Sequence, residues 1–255
     1  MPAFPYLLYT FHGGLFKINI TTIGMMIFTG LLVLVFLRIA ARGLDVRKPT
    51  KMQNLVEWVA DFTTNMARDT MPSEHVVQWI MPLAFTMLVY LFVANWLGVI
   101  ATVALSVHTP IPWLGLTAAS LAAGHYDVPL FDSPTSNMSM TLGMAAMVWL
   151  LSHFVGWRHP KHYLRHYLNP MALIEEITNP LTHGMRLFGN IFAGEALISV
   201  LLGIPVLFHF IPIGLPLLLI WLFYSGFVST IQAYVFTILM TLYVGQKYHV
   251  TDVRH

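Results

Sequence analysis

Cysteine is missing altogether, which excludes disulfides, thiolate metal sites and cysteine nucleophiles and leaves the redox compartment unreadable. Charge is nearly as scarce. Asp, Glu, Lys and Arg make up 9% of the chain, where an ordinary soluble domain has roughly a quarter. Hydrophobic residues make up 57% of the 255 positions, so a water-soluble globule is excluded. The formal net charge of +2 matters less than where the charges sit. The first sixteen residues hold no basic cluster followed by a small-residue cleavage site, and a removable signal peptide is not expected. There is no internal repeat, heptad array or low-complexity tract, so residues 1–255 read as a single unit.

What is present in quantity is long apolar sequence. A helix needs about 20 mostly apolar residues to cross a bilayer core, and four regions between charges reach that length. They lie between Lys17 and Arg38, from about Trp79 to Val107, from about Met138 to Trp157, and from about Ala172 to Val244. The last is broken near Pro205 to Pro216, as expected for two long helices forming a hairpin, whose functional part covers about 171–246. The fold class expected is therefore an all-α membrane protein with five transmembrane helices and a long, tilted C-terminal helical hairpin. Between the first two spans, Leu55, Trp58, Val59, Phe62 and Met66 recur at helical spacing opposite Lys51, Asp61, Arg68 and Asp69, the pattern of an amphipathic helix lying in the interface. Residues 108–136 are rich in Pro, Gly and Ser and contain no basic residue, which reads as a long non-cytoplasmic loop.

Orientation follows from the basic residues. With the N-terminus outside and the C-terminus cytoplasmic, Arg38, Arg42, Arg47, Lys48, Lys51, Arg68, Arg158, Lys161, Arg165, Lys247 and Arg254 all lie inside. Lys17 is outside, and Arg186 is left within the fourth apolar region.

A charge at mid-membrane costs between ~2.5 and well over 10 kcal/mol depending on the reference state, so Arg186 needs a functional reason. Thr182, Arg186 and Asn190 follow one another at four-residue steps and share a helix face. At ~100° per residue, Glu195 falls on roughly the opposite face and ~13 Å further along the axis. The helix thus presents a permanent cation on one side and a titratable carboxylate on the other. In the second helix of the pair, Ser225, Ser229 and Gln232 form a polar stripe. Antiparallel packing sets Gln232 near the Arg186 level and Ser225 nearer Glu195. Gly184, Gly189, Ala193 and Gly194 allow close approach, either for packing within the chain or for a smooth surface past which partner helices slide. His183 reads as either a packing histidine or a proton relay near neutral pH.

The run from Arg186 to Glu195, RLFGNIFAGE, resembles the signature of the ATP synthase subunit a family, and Gln232 to Thr237, QAYVFT, resembles the family's second motif. Pro49 to Asn54, Asn95 and Ser133-Pro134-Thr135 fit the same pattern, and the resemblance covers nearly the whole chain. Gly98 and Asn137 differ from members that carry a carboxylate there. The resemblance implies a proton-translocating stator of the F0 motor with two offset half-channels, in which Arg186 acts on the carboxylates of a subunit c ring. It assigns Asn190, Glu195 and Gln232, with Asn95 and Ser225, to the half-channel open to the outside. Glu175 and Glu176 line the exit on the cytoplasmic side or are simply solvated near a helix N-terminus. It also implies the subunit b peripheral stalk, the remaining ATP synthase subunits and membrane lipid as partners, with no nucleic acid. No cofactor, no metal and no catalytic chemistry of the chain's own are expected, and the setting implied is a bacterial plasma membrane.

Two other readings compete. An intramembrane protease needs a zinc-binding HExxH or a serine and histidine at matched depth, and neither is evident. A secondary transporter with an intramembrane Arg/Glu site usually has inverted repeats, which are not found. His159, His162 and His166 in WRHPKHYLRHY read as part of a basic loop meeting anionic lipid rather than a metal site.

Overall fold

The computed structural model describes residues 8–11, 16–42, 45, 47–100, 103–106, 109–111, 122, 127–131, 133–157 and 170–251. The basic stretch with His159, His162 and His166, and residues 203–213, where the break between the two long helices is expected, lie outside the described residues.

Six long helices carry the fold: α1 Ile20–Ala40, α2 Lys51–Thr70, α3 Glu74–Ile100, α4 Met138–Gly156, α5 Pro170–Leu202 and α6 Gly214–Thr251. Their starts are set by local chemistry. Asn19, Thr50 and Asn137 each accept a hydrogen bond from a backbone amide of the first turn of α1, α2 and α4, satisfying donors the helix itself leaves open. Asn137 also ties α4 to α1, because its amide nitrogen donates to Thr22 Oγ1 at 3.1 Å.

Four of these helices are long and apolar enough to cross a membrane: Ile20–Ala40, Glu74–Ile100, Met138–Gly156 and the Leu215–Tyr248 part of α6. The fifth expected span, α5, is a helix of 33 residues and is not among these four, which are counted over the described residues.

The long elements are all α-helical as expected, and the structure adds two short antiparallel ribbons. Leu8–Phe11 (β1) pairs with Phe16–Asn19 (β2), and Val103–Ser106 (β3) with Asp127–Phe131 (β4). The second ribbon corrects two expectations. The second apolar run ends as helix at Ile100 rather than Val107, and the 108–136 segment is not loop throughout. Hydropathy is blind to this change, because a four-residue strand of Val, Ala and Leu is as apolar as helix.

The core sits where α3, α5 and α6 meet, around the fully buried Ile80, Leu91, Leu187, Phe236, Met240 and Val244. In lipid such a core gains by van der Waals contact rather than by leaving water. Three buried hydroxyls are turned back onto their own helices: Thr63 to Val59 O, Thr237 to Ala233 O and Thr241 to Ile238 O, at 2.8 to 2.9 Å. By contrast, α1 exposes Ile27, Leu31, Leu34, Val35 and Ile39, which is unremarkable only in an apolar solvent.

On α2 the apolar stripe and the packed face are neighbours rather than one face. Gln53, Thr63, Met66 and Ala67 are buried, while Leu55, Trp58 and Phe62 are exposed. That division suits a helix which packs sideways onto the bundle and offers its stripe to the interface. Its C-terminal end meets α6 closely: a Cβ on Gly245 would lie 2.4 Å from the Thr70 carbonyl oxygen, whereas Gly24 and Gly30 have nothing within 4 Å. Gly245→Val is expected to lower stability by about 1 to 3 kcal/mol through overpacking. Gly24→Ala should leave it unchanged or raise it. Thermal unfolding of the detergent-solubilised protein measures both.

Candidate functional site

Arg186 is the middle residue of α5, with sixteen helical residues on either side. Its side chain is exposed, and among the described residues it has no hydrogen bond and no ion pair. The surface around it is apolar, with Leu181, Met185 and Phe192 exposed on its flank. On the same face Thr182 turns its hydroxyl back to Thr178 O at 2.8 Å. Gly189 stands in open space, with nothing within 4 Å of an added Cβ, and Ala193 is exposed. Around the guanidinium, Thr182 and Asn190 are the polar neighbours on this face, and Gly189 and Ala193 leave it smooth.

The rest of α5 is held from behind. A Cβ on Gly184 would meet Leu142 Cδ2 at 2.8 Å, and one on Gly194 would meet Ser225 Oγ at 3.2 Å. Leu187 and Ile191 enter the core. Gly184, Gly189, Ala193 and Gly194 therefore divide, the first and last serving close packing and the other two facing outward with Arg186. Contacts with α6 run in opposite directions along the two helices. His183 packs on Phe236 with the rings tilted by 37° and their centroids 3.8 Å apart, and Trp221 Nε1 donates to Gly194 O at 3.2 Å. With His183 against Phe236 and Ser225 against Gly194, Gln232 falls across from Leu187, one residue from Arg186, and Ser225 lies one residue from Glu195.

Polar groups gather in two regions, on opposite sides of Arg186 along the helix axis. The first is a cavity of about 300 Å³ whose lining includes Glu175, Glu176, Asn179, His183, Tyr243 and Lys247. Glu176 is its anchor. The Glu176 carboxylate accepts from Trp149 Nε1 at 2.9 Å, lies 3.3 Å from His153 Nε2, and pairs with Lys247, so one side chain of α5 joins α4 and α6. Glu175 is exposed. Of the adjacent carboxylates, only Glu176 is built into the structure. His183 is buried against Phe236 and Tyr243, with no hydrogen-bond partner for Nε2 among the described residues.

The second region lies nine residues beyond Arg186, at Glu195. Its carboxylate turns away from the arginine face toward α3: a Cβ on Gly98 would lie 2.9 Å from Glu195 Oε1 and 2.6 Å from Ser133 Cβ. Around it runs a chain of bonds. Ser133 Oγ donates to Ala94 O at 3.0 Å and lies 2.7 Å from Thr135 Oγ1, which donates to Asn95 Oδ1 at 2.9 Å. Asn95 Nδ2 in turn donates to Ser229 O at 3.2 Å. Asn95 is fully buried with both ends of its amide engaged, so what it visibly does is lock α3 to α6 and to the 3-10 turn Pro134–Ser136. Ser225 and Gln232 are buried on α6.

Sequence reasoning missed Lys247, His153 and Trp149 as neighbours of Glu176, and Ser133 and Thr135 as the framework beside Glu195. Lys247 was countable only as a basic residue near a helix end. Ser133 and Thr135 stood out as a motif without a role. No cluster of His, Asp or Glu among the described residues has the grouping of a metal site.

These features define a polytopic helical membrane protein with an exposed central arginine flanked by two separate polar regions. Residues 23–245 match the model of the family described as ATP synthase A chain. Proteins named ATP synthase subunit a from Staphylococcus aureus strains JH9, Newman and Mu3 are each 36% identical over 242 residues, covering 90% of this chain and 90% of theirs. The chain belongs to the ATP synthase subunit a family.

The Glu176 clasp makes a measurable claim. Lys247→Met leaves a buried carboxylate without its cation, which is costly, whereas Glu176→Gln removes the charge that needed it. The double variant is expected to be more stable than Lys247→Met alone, with a coupling of about 1 to 3 kcal/mol. A double-mutant cycle of thermal unfolding reads it.

Proposed function

We propose that this chain is the proton-translocating stator of a bacterial F0 motor, a single membrane unit over 1–255 with five spans. In it α5 and α6 form a hairpin tilted against a ring of subunit c. At 1.5 Å per residue these two helices extend roughly 50 and 57 Å, well beyond a hydrocarbon core of about 30 Å, and tilting accommodates the excess. The observation that carries the reading is the isolated guanidinium on an apolar outer face, with polar regions set apart above and below it.

The chemistry follows from charge. An arginine side chain holds its proton at any pH a cell reaches, so Arg186 is a fixed cation. A ring carboxylate brought beside it is favoured as the anion and gives up its proton. Once it moves on toward lipid, the neutral form is favoured and it takes a proton back. If proton release and uptake are served by different half-channels, rotation is tied to transfer across the membrane, each charge being worth ~2.3 kcal/mol per 100 mV. The Glu195 region, with Asn190, Gln232, Ser225 and Asn95, serves the outer side. The cavity of Glu175, Glu176 and His183 serves the cytoplasmic side. Arg186 separates them, because a group that never loses its proton cannot relay one. The N-terminus then lies outside and the C-terminus in the cytoplasm, with the subunit b stalk and the other synthase subunits as further partners. ATP chemistry resides elsewhere in the complex.

Removal of the cation tests the reading. Arg186→Ala is expected to abolish ATP-driven proton pumping in vesicles while the subunit c ring still co-purifies. Arg186→Lys should remain poor, because an ammonium in such a site can lose its proton. Pumping at the parental rate in the alanine variant rejects the mechanism. Solute uptake by the purified chain alone, without a ring, would point instead to a secondary transporter.

A further inference from the structure

The position of Glu195's carboxylate is built by an absence on another helix. Gly98 lies within α3, in ordinary helical backbone, so no positive φ explains its glycine. Space does. An added Cβ would lie 2.9 Å from Glu195 Oε1, 2.6 Å from Ser133 Cβ and 3.2 Å from Ser133 Oγ. Gly24, Gly30 and Gly143 have nothing within 4 Å, while Gly184 and Gly245 are crowded by an apolar side chain and by backbone; at Gly98 the crowding groups are a carboxylate and a hydroxyl-bearing side chain.

The walls of this niche cannot readily yield. Ser133 is buried and bonded to the Ala94 carbonyl and to Thr135, which is bonded to Asn95, itself bonded to α6. The floor is α3 backbone. The one flexible element is the Glu195 side chain, with several rotatable bonds. A methyl group at position 98 therefore either evicts the carboxylate or pushes the Ser133 turn off α3.

We infer that Gly98 is a positioning residue for proton transfer, holding the Glu195 carboxylate in a niche between α3 and the Ser133 turn, away from the Arg186 face. The inference rests on the proposed role of Glu195. The niche keeps the carboxylate at one depth and one orientation.

The test uses the intact complex in vesicles and reads passive proton conductance through the membrane sector together with the amount of ring-bound subunit. Gly98→Ala is expected to lower conductance by about ten- to a hundredfold, the scale of an ångström-level displacement of a reacting group. If that variant assembles poorly, Gly98→Ala with Ser133→Gly removes the closest clash and restores assembly, but not conductance. Adding Glu195→Asp to that pair withdraws the carboxylate by one methylene and recovers conductance several-fold. A merely structural glycine would behave otherwise, with conductance returning as soon as assembly does. Parental conductance in either Gly98→Ala or the Gly98→Ala, Ser133→Gly pair overturns the inference, as does failure of Glu195→Asp to recover any. Glu195→Gln separates the two levels. If it conducts like the parent, the role of Glu195 and this inference fall together; if it is impaired while Gly98→Ala is not, only the inference falls.

Discussion

A cation at the centre of a helix with no counter-charge among the described residues of its own chain is the constraint around which this molecule is arranged. In lipid a lone guanidinium is worth several kcal/mol of instability, and folding normally answers such a cost by pairing or burial. Here neither is done. Leu187 and Ile191 go into the core and Gly184 is wedged against Leu142, so α5 is fixed firmly in a rotation that leaves Arg186 outward. The packing behind the arginine maintains its exposure, and the chain alone in a bilayer is energetically incomplete on that face.

The two carboxylate regions obey the same constraint. Glu176 lies ten residues before the arginine and Glu195 nine after it, each roughly 13 to 15 Å away along the axis. Each is also held in place. Glu176 takes its cation from α6 and two ring nitrogens from α4, and Glu195 turns into the space Gly98 leaves. Helical spacing alone keeps these carboxylates from pairing with Arg186, and the local clasps fix where each one points.

Much of this was legible in the sequence, for reasons that also mark the limit. Hydropathy placed α1 and α4 to within a few residues, because twenty apolar residues have few other uses. The opposition of Arg186 and Glu195 followed from 100° per residue alone. What could not be read were relations between distant positions. Lys247 reaches Glu176 across 71 residues, and no periodicity encodes that. Gly98 announces nothing by itself, since a glycine required for space and one facing open lipid look alike until the neighbour is seen. The apolar stripe of α2 was found correctly, yet the face that packs is the adjacent one with Gln53 and Thr63, because inside a bilayer small and polar residues serve packing as well as large apolar ones do.

The division of small residues on α5 carries this logic to the surface. Gly184 and Gly194 accept neighbours at distances that leave no room for a methyl group or barely allow one, the signature of a fixed contact. Gly189, three residues beyond Arg186, has nothing within reach of an added Cβ, and Ala193, four residues further, is exposed. A static helix-helix contact gains specificity from large knobs seated in matching holes. A face of Gly, Ala and a back-bonded Thr beside one cation offers few knobs to lock, so a neighbouring helix would meet little steric barrier in moving past it. Affinity on such a face has to come from the charge, and under the proposed function that charge suits repeated transient encounters better than one permanent dock.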